Sequence, residues 1–134
     1  MRPRRVSYRF VIDSYAWIEY FRGTDAGERA KNYIEGKEAA TSGISVAELK
    51  EKYLREGWRY FDADLLFITS ITTIIPVDKE IAVSAGEINF ERKKKVKDWG
   101  MSDSIVLATA RKASAKVVTG DPHFKDLKES VLIT

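Results

Sequence analysis

At 134 residues, with 44% hydrophobic and 32% charged side chains, the chain can fill one core and has no length for a second, so one domain spanning 1–134 is expected. It holds no cysteine and one histidine, which excludes disulfide frameworks and thiolate or histidine-rich metal sites, so any bound metal is expected to be held by oxygen. A net charge of +3 leans toward a polyanionic partner, while no apolar run nears the roughly 20 residues of a membrane span and no hydrophobic signal region follows Arg4-Arg5, so a cytoplasmic protein without a membrane is expected.

In chain order, Phe10-Val11-Ile12 reads as a buried strand, and Ser14 after it as the cap of a helix in which Trp17 and Phe21 stand one turn apart. Gly23-Thr24-Asp25 breaks that helix, and a second covers about Ala26 to Ile34 before Gly36. Ala39-Ala40-Thr41 is a short strand, followed by a helix from about Ser45 to Leu54, where Ser45-Val46-Ala47-Glu48 has the capping-box pattern. Tyr60 to Ser70 is helical, and the β-branched run Ile71 to Val77 reads as a strand end. Asp78 caps a helix whose Ile81, Ala82, Ala85 and Ile88 recur at helical spacing. Past Gly100 come a helix over Ser102 to Ala113 and strands at Val117 to Thr119 and Val131 to Ile133. Strands alternating with helices imply a three-layer α/β fold with a mainly parallel central sheet flanked by helices.

Four carboxylates sit where these elements begin or end: Asp13, Glu48, Asp103 and Asp121. Parallel sheets collect ligands at the carboxyl ends of their strands, where Asp13 and Asp121 fall. Gathered there, the acids would repel one another unless a cation neutralised them, and a hard divalent ion with oxygen ligands is the simplest candidate. Each also has a plain structural reading: Asp13 as a strand end, Glu48 as half of a capping box, Asp103 as an acid at a helix start and Asp121-Pro122 as a turn. His123 reads as a turn residue rather than a general base. Positive charge is concentrated in Arg2, Arg4, Arg5 and Arg9, and in Arg92, Lys93, Lys94, Lys95 and Lys97, the second group being the candidate nucleic-acid contact.

Val11 to Phe21 resembles the opening of PIN-domain proteins, in particular VapC-type toxins of VapBC toxin–antitoxin pairs. Thr41 to Leu49, Met101 to Ala110 and Val118 to Phe124 resemble that family's later acidic segments in the same order, so the likeness runs from about Phe10 to Phe124. Tyr15 and His123 depart from it, standing where many relatives have a small polar and an acidic residue. The resemblance implies a Mg2+- or Mn2+-dependent endoribonuclease, the toxin of a type II pair, inhibited by a VapB-like antitoxin and forming a homodimer through Trp17, Tyr20 and Phe21 or through Tyr60, Phe61 and Leu65. It implies metal contact by Asp13 with Asp121 or Asp103, the other acids acting through water or orienting the nucleophile, with Ser14 and Thr119 as supporting hydroxyls. A bound ion would lower the pKa of water and offset charge on the phosphoryl oxygens. The alternatives are a PIN nuclease of RNA processing, a catalytically quiet RNA-binding module, or, from another class, a phosphoaspartyl α/β protein with Asp13 as nucleophile.

Overall fold

The computed structural model describes residues 7–134, so the arginines at 2, 4 and 5 lie outside the described residues. Strands β1 (Phe10–Ile12), β2 (Ala39–Ser42), β3 (Thr73–Ile75), β4 (Lys116–Thr119) and β5 (Ser130–Leu132) form one sheet in the order β3-β2-β1-β4-β5. Every neighbouring pair is parallel. Six helices connect or flank them: α1 (Ser14–Arg22), α2 (Asp25–Glu35), α3 (Gly43–Glu56), α4 (Phe61–Ile71), α5 (Lys79–Arg92) and α6 (Met101–Lys112). The expected α/β architecture with a parallel sheet is the one observed.

Successive side chains of a strand point to opposite faces, and here both faces are covered. Val11 and Val117 enter a core with Ile81, Trp99, Val106 and Phe124, whereas Ile12 and Val118 enter a second core with Trp17, Ile34, Leu49 and Ile68. Each such large side chain contributes about 1.5–3 kcal/mol over its exposed state. Trp17 is 0% exposed and stacks on Phe21, so it belongs to this core and offers no interface. One buried polar chain crosses the elements: Trp17 Nε1 donates to Thr41 Oγ1, which shares a hydrogen bond with Thr72 Oγ1.

Several helix starts differ from their sequence expectations. Asp13 is the N-cap of α1 and Ser14 its first residue; the Asp13 carboxylate makes no cap hydrogen bond and faces elsewhere. α3 begins two residues before Ser45, because Ser42 serves as the cap and accepts from Ile44 N–H at 3.3 Å. Ser45 is therefore inside the helix, its buried Oγ has no hydrogen-bond partner, and the Ser45–Glu48 capping box does not form. Thr24 caps α2 through Gly27 N–H. Asp78 caps α5 as expected, accepting from Ile81 N–H at 2.8 Å. Helices α1 and α2 pack so closely that a Cβ at Gly27 would overlap the Glu19 carbonyl.

From β1 the chain moves one way across the sheet to β2 and β3, and the later strands β4 and β5 lie on the other side of β1. The switch point thus falls between β1 and β4, and the crevice at their carboxyl ends is where such sheets bind ligands.

Candidate metal centre

Asp13 emerges directly from β1 into that crevice and is almost wholly buried. Thr119, the last residue of β4, donates from Oγ1 to Asp13 Oδ2 at 2.8 Å, and Thr119 Oγ1 itself accepts from Asp121 N–H at 3.0 Å. One threonine hydroxyl thereby ties the two strand-end acids together. Asp121 caps the 3-10 turn Pro122–Phe124, with His123 N–H donating to its Oδ1 at 2.9 Å. Behind this loop Tyr15 packs against Gly120, where a Cβ would overlap the tyrosine ring.

Glu48 arrives from α3, where Ser14 Oγ donates to its Oε1 at 3.4 Å. Asp103 lies in the first turn of α6 and its Oδ2 accepts from Gly100 N–H at 3.1 Å. The start of α6 is held by Trp99, whose Nε1 donates to Ser104 Oγ at 2.7 Å, that hydroxyl in turn donating to Asn89 of α5. All four acids and Ser14 line one cleft of about 620 Å³. Asp13, Asp103 and Asp121 stand at element edges as expected, whereas Glu48 lies in the second turn of α3 and reaches the same cleft from there.

The charges are unbalanced there. Burial pushes the Asp13 carboxyl up to about 7, against the Thr119 hydrogen bond, with the Glu48 and Asp103 charges adding to the rise. Glu48 is also raised, first by burial and then by Asp103, against hydrogen bonds that include Ser102. Asp103 is raised by burial and by Asp121, while the Gly100 N–H and His123 counter the rise. A carboxylate cluster whose ionised state is disfavoured in this way is the electrostatic environment a divalent cation relieves.

Asp103, Asp121 and His123 each present one donor atom, and these atoms lie within 4.8 Å of one another. His123 Nδ1 is enclosed yet has no hydrogen-bond partner, standing 3.5 Å from Asp103 Oδ2 and 3.4 Å from Asp121 Oδ1. The donor set therefore fits a divalent ion. His123 is the turn residue expected, and its position two residues after Asp121 in a tight turn also folds its ring back beside that acid.

The basic run divides. Arg92 is buried: its guanidinium makes two hydrogen bonds to Asp126, at 2.7 and 2.9 Å, donates to the His123 carbonyl at 2.9 Å, and lies over the Trp99 ring. It ties the 3-10 turn to α5, its guanidinium engaged within the protein, unlike the lysines that follow it. Lys93, Lys94, Lys95 and Lys97 are exposed, with Lys94 3.5 Å from Glu91. Lys95 and Lys97 share a surface pocket with His123 and Lys125, beside the acid cluster. Arg9 pairs with Glu38 at 3.1 Å.

The family model for the PIN domain matches residues 10–130. No curated protein sequence matches the chain. Among solved structures, it is similar to a toxin–antitoxin complex from Klebsiella pneumoniae, with a TM-score of 0.73, 21% identity, and coverage of 92% of this chain and 97% of that one. VapBC2 from Rickettsia felis, bound to a DNA fragment from its promoter, gives a TM-score of 0.71 at 19% identity, covering 92% and 96%. VapC20 from Mycobacterium tuberculosis, described as a sarcin-ricin loop cleaving toxin, gives 0.72 at 17% identity, covering 89% and 95%.

Proposed function

Since this chain belongs to the PIN domain family, we propose that it is a divalent-metal-dependent endoribonuclease, one nuclease domain over its length, acting as the toxin of a type II toxin–antitoxin pair. The observation that carries the reading is the convergence of Asp13, Glu48, Asp103 and Asp121 at the switch point of the sheet. Family membership sets aside the phosphoaspartyl alternative. The toxin role and the VapB-like antitoxin draw support from the toxin–antitoxin complexes of the same fold.

Asp13, Asp103 and Asp121 would hold Mg2+ or Mn2+, and Glu48 would complete the set. Bound there, the ion supplies a water of lowered pKa and a charge opposite the phosphoryl oxygens. The chain's own groups do the placing. Thr119 orients Asp13 and the backbone of Asp121 together, Ser14 orients Glu48, and the Gly100 N–H orients Asp103. Lys93, Lys94, Lys95 and Lys97 would grip the RNA backbone, and single-stranded loops, whose base edges are accessible, are the expected targets. With Trp17 enclosed, the side of the molecule at α4, where Tyr60 and Leu66 are exposed, is favoured for a homodimer. Among the described residues no helix is long and apolar enough to cross a membrane, which is compatible with action in the cytoplasm.

The test is cleavage of single-stranded RNA by the purified protein. We expect activity with Mg2+ or Mn2+, none with chelator, and none in Asp13→Asn. Cleavage at full rate in chelator overturns the reading.

A further inference from the structure

The geometry points to His123 as a metal ligand, a nitrogen donor added to the carboxylate site that tilts it from Mg2+ toward later first-row dications such as Ni2+. This rests on the metal-dependent reading above and adds to it a donor that is not a carboxylate.

Distance is the first support. Adjacent ligands of an octahedral ion with bonds near 2.1 Å lie roughly 3 Å apart. His123 Nδ1 stands 3.5 Å from Asp103 Oδ2 and 3.4 Å from Asp121 Oδ1. The nitrogen needs to close on each oxygen by only a few tenths of an ångström to become its neighbour in one coordination sphere. The orphaned nitrogen is the second support. The His123 side chain is 29% exposed, yet its Nδ1 is enclosed without a hydrogen bond. An enclosed nitrogen whose nearest partners are two carboxylate oxygens at 3.5 and 3.4 Å, too long for hydrogen bonds, is placed to share an ion with them.

Preorganisation is the third. The His123 N–H is fixed by Asp121 Oδ1, and its carbonyl accepts from Arg92, whose guanidinium is itself clamped by Asp126. Pro122 precedes it, and Phe124, 0% exposed, anchors the far side of the turn. The ring is therefore delivered to the acids by a turn fixed on both sides. The two carboxylate oxygens nearest Nδ1 each accept only one backbone N–H, which leaves lone pairs for an ion. Imidazole suits the later first-row dications such as Ni2+ and Zn2+, whereas carboxylate and water suit Mg2+ and Mn2+, so one nitrogen in the sphere shifts the preference toward the former.

Pulsed electron paramagnetic resonance of the Mn2+-loaded wild-type protein tests this directly, since a ligated imidazole nitrogen gives a resolved hyperfine coupling that 15N-histidine labelling shifts. With a single histidine in the chain, the assignment is unambiguous. Calorimetry of His123→Ala should show Ni2+ affinity falling by about tenfold or more, with Mg2+ affinity changing by less than about threefold, at unchanged circular dichroism. Mn2+ bound without nitrogen coupling overturns the role of His123 and leaves the acid site standing. Failure of wild-type protein to bind Mn2+ at all overturns the metal-site reading itself.

Discussion

Asp13 is the residue on which the electrostatics turn. With its carboxyl pushed up to about 7 by burial, the folded state keeps a proton that the unfolded chain releases near 4. The folded, metal-free protein therefore binds more protons across this window, and its stability falls as pH rises from about 4 through 7, then levels. At 1.36 kcal/mol per pKa unit the loss is of the order of 4 kcal/mol, and Glu48 and Asp103 act in the same direction. Urea unfolding in chelator should give a lower stability at pH 8 than at pH 5, with Mn2+ restoring it at pH 8 and Asp13→Asn flattening the profile. A rise over that interval would contradict the reading. Glu48 is the acid at which the structural and functional readings compete most directly. The structure removes the capping box, so Ser45→Ala should cost little, whereas Ser42→Ala should cost about 0.5–2 kcal/mol as a lost N-cap. Glu48→Gln should fold normally and bind Mn2+ more weakly by calorimetry. Asp13, Asp103 and Asp121 were legible because each stands where a strand ends or a helix starts, whereas Glu48 lies in the second turn of α3 and was legible only through the order of the family's acidic segments. The exact helix start was not, because Ser42 and Ser45 are equally good caps by type and only the register of β2 decides between them.

At the scale of elements, the site depends on how closely α1, α2 and the 3-10 turn are held. Gly27→Ala gains a few tenths to 1 kcal/mol of helix propensity and meets the Glu19 carbonyl, so a net loss of about 1–3 kcal/mol is expected by thermal or urea unfolding. Arg92→Met should loosen the turn carrying Asp121 and His123. Asp126 is half exposed and can be solvated, so we expect about 1–3 kcal/mol of destabilisation and weaker Mn2+ binding, without a change in the salt dependence of RNA binding. Lysine replacement should do the reverse. Changing Lys93, Lys95 and Lys97 to serine should leave stability intact and flatten the log–log salt dependence of RNA affinity by roughly 0.7 per lost contact, and an unchanged slope would return them to a solvated surface. Arg92 looked like its lysine neighbours in sequence. Its different fate comes from helical phase: it shares the buried face of α5 with Ile81, Ala85 and Ile88, while the lysines follow the end of the helix.

For the whole molecule, alternation of strands and helices in the sequence implied the α/β class and the parallel sheet, because short buried strands joined by helices leave few other solutions. Strand order was not readable, and it is the order that places β1 beside β4 and so brings Asp13 next to Asp121 from more than a hundred residues away. The central claim is that these acids form one cation site. Its most direct test is anomalous scattering from crystals grown with Mn2+. The account predicts a single strong peak, or a close pair, in the cleft, within ~2.0–2.6 Å of carboxylate oxygens from Asp13 and at least one of Asp103 and Asp121. No peak in the cleft at saturating Mn2+, or one held without Asp13, would contradict it.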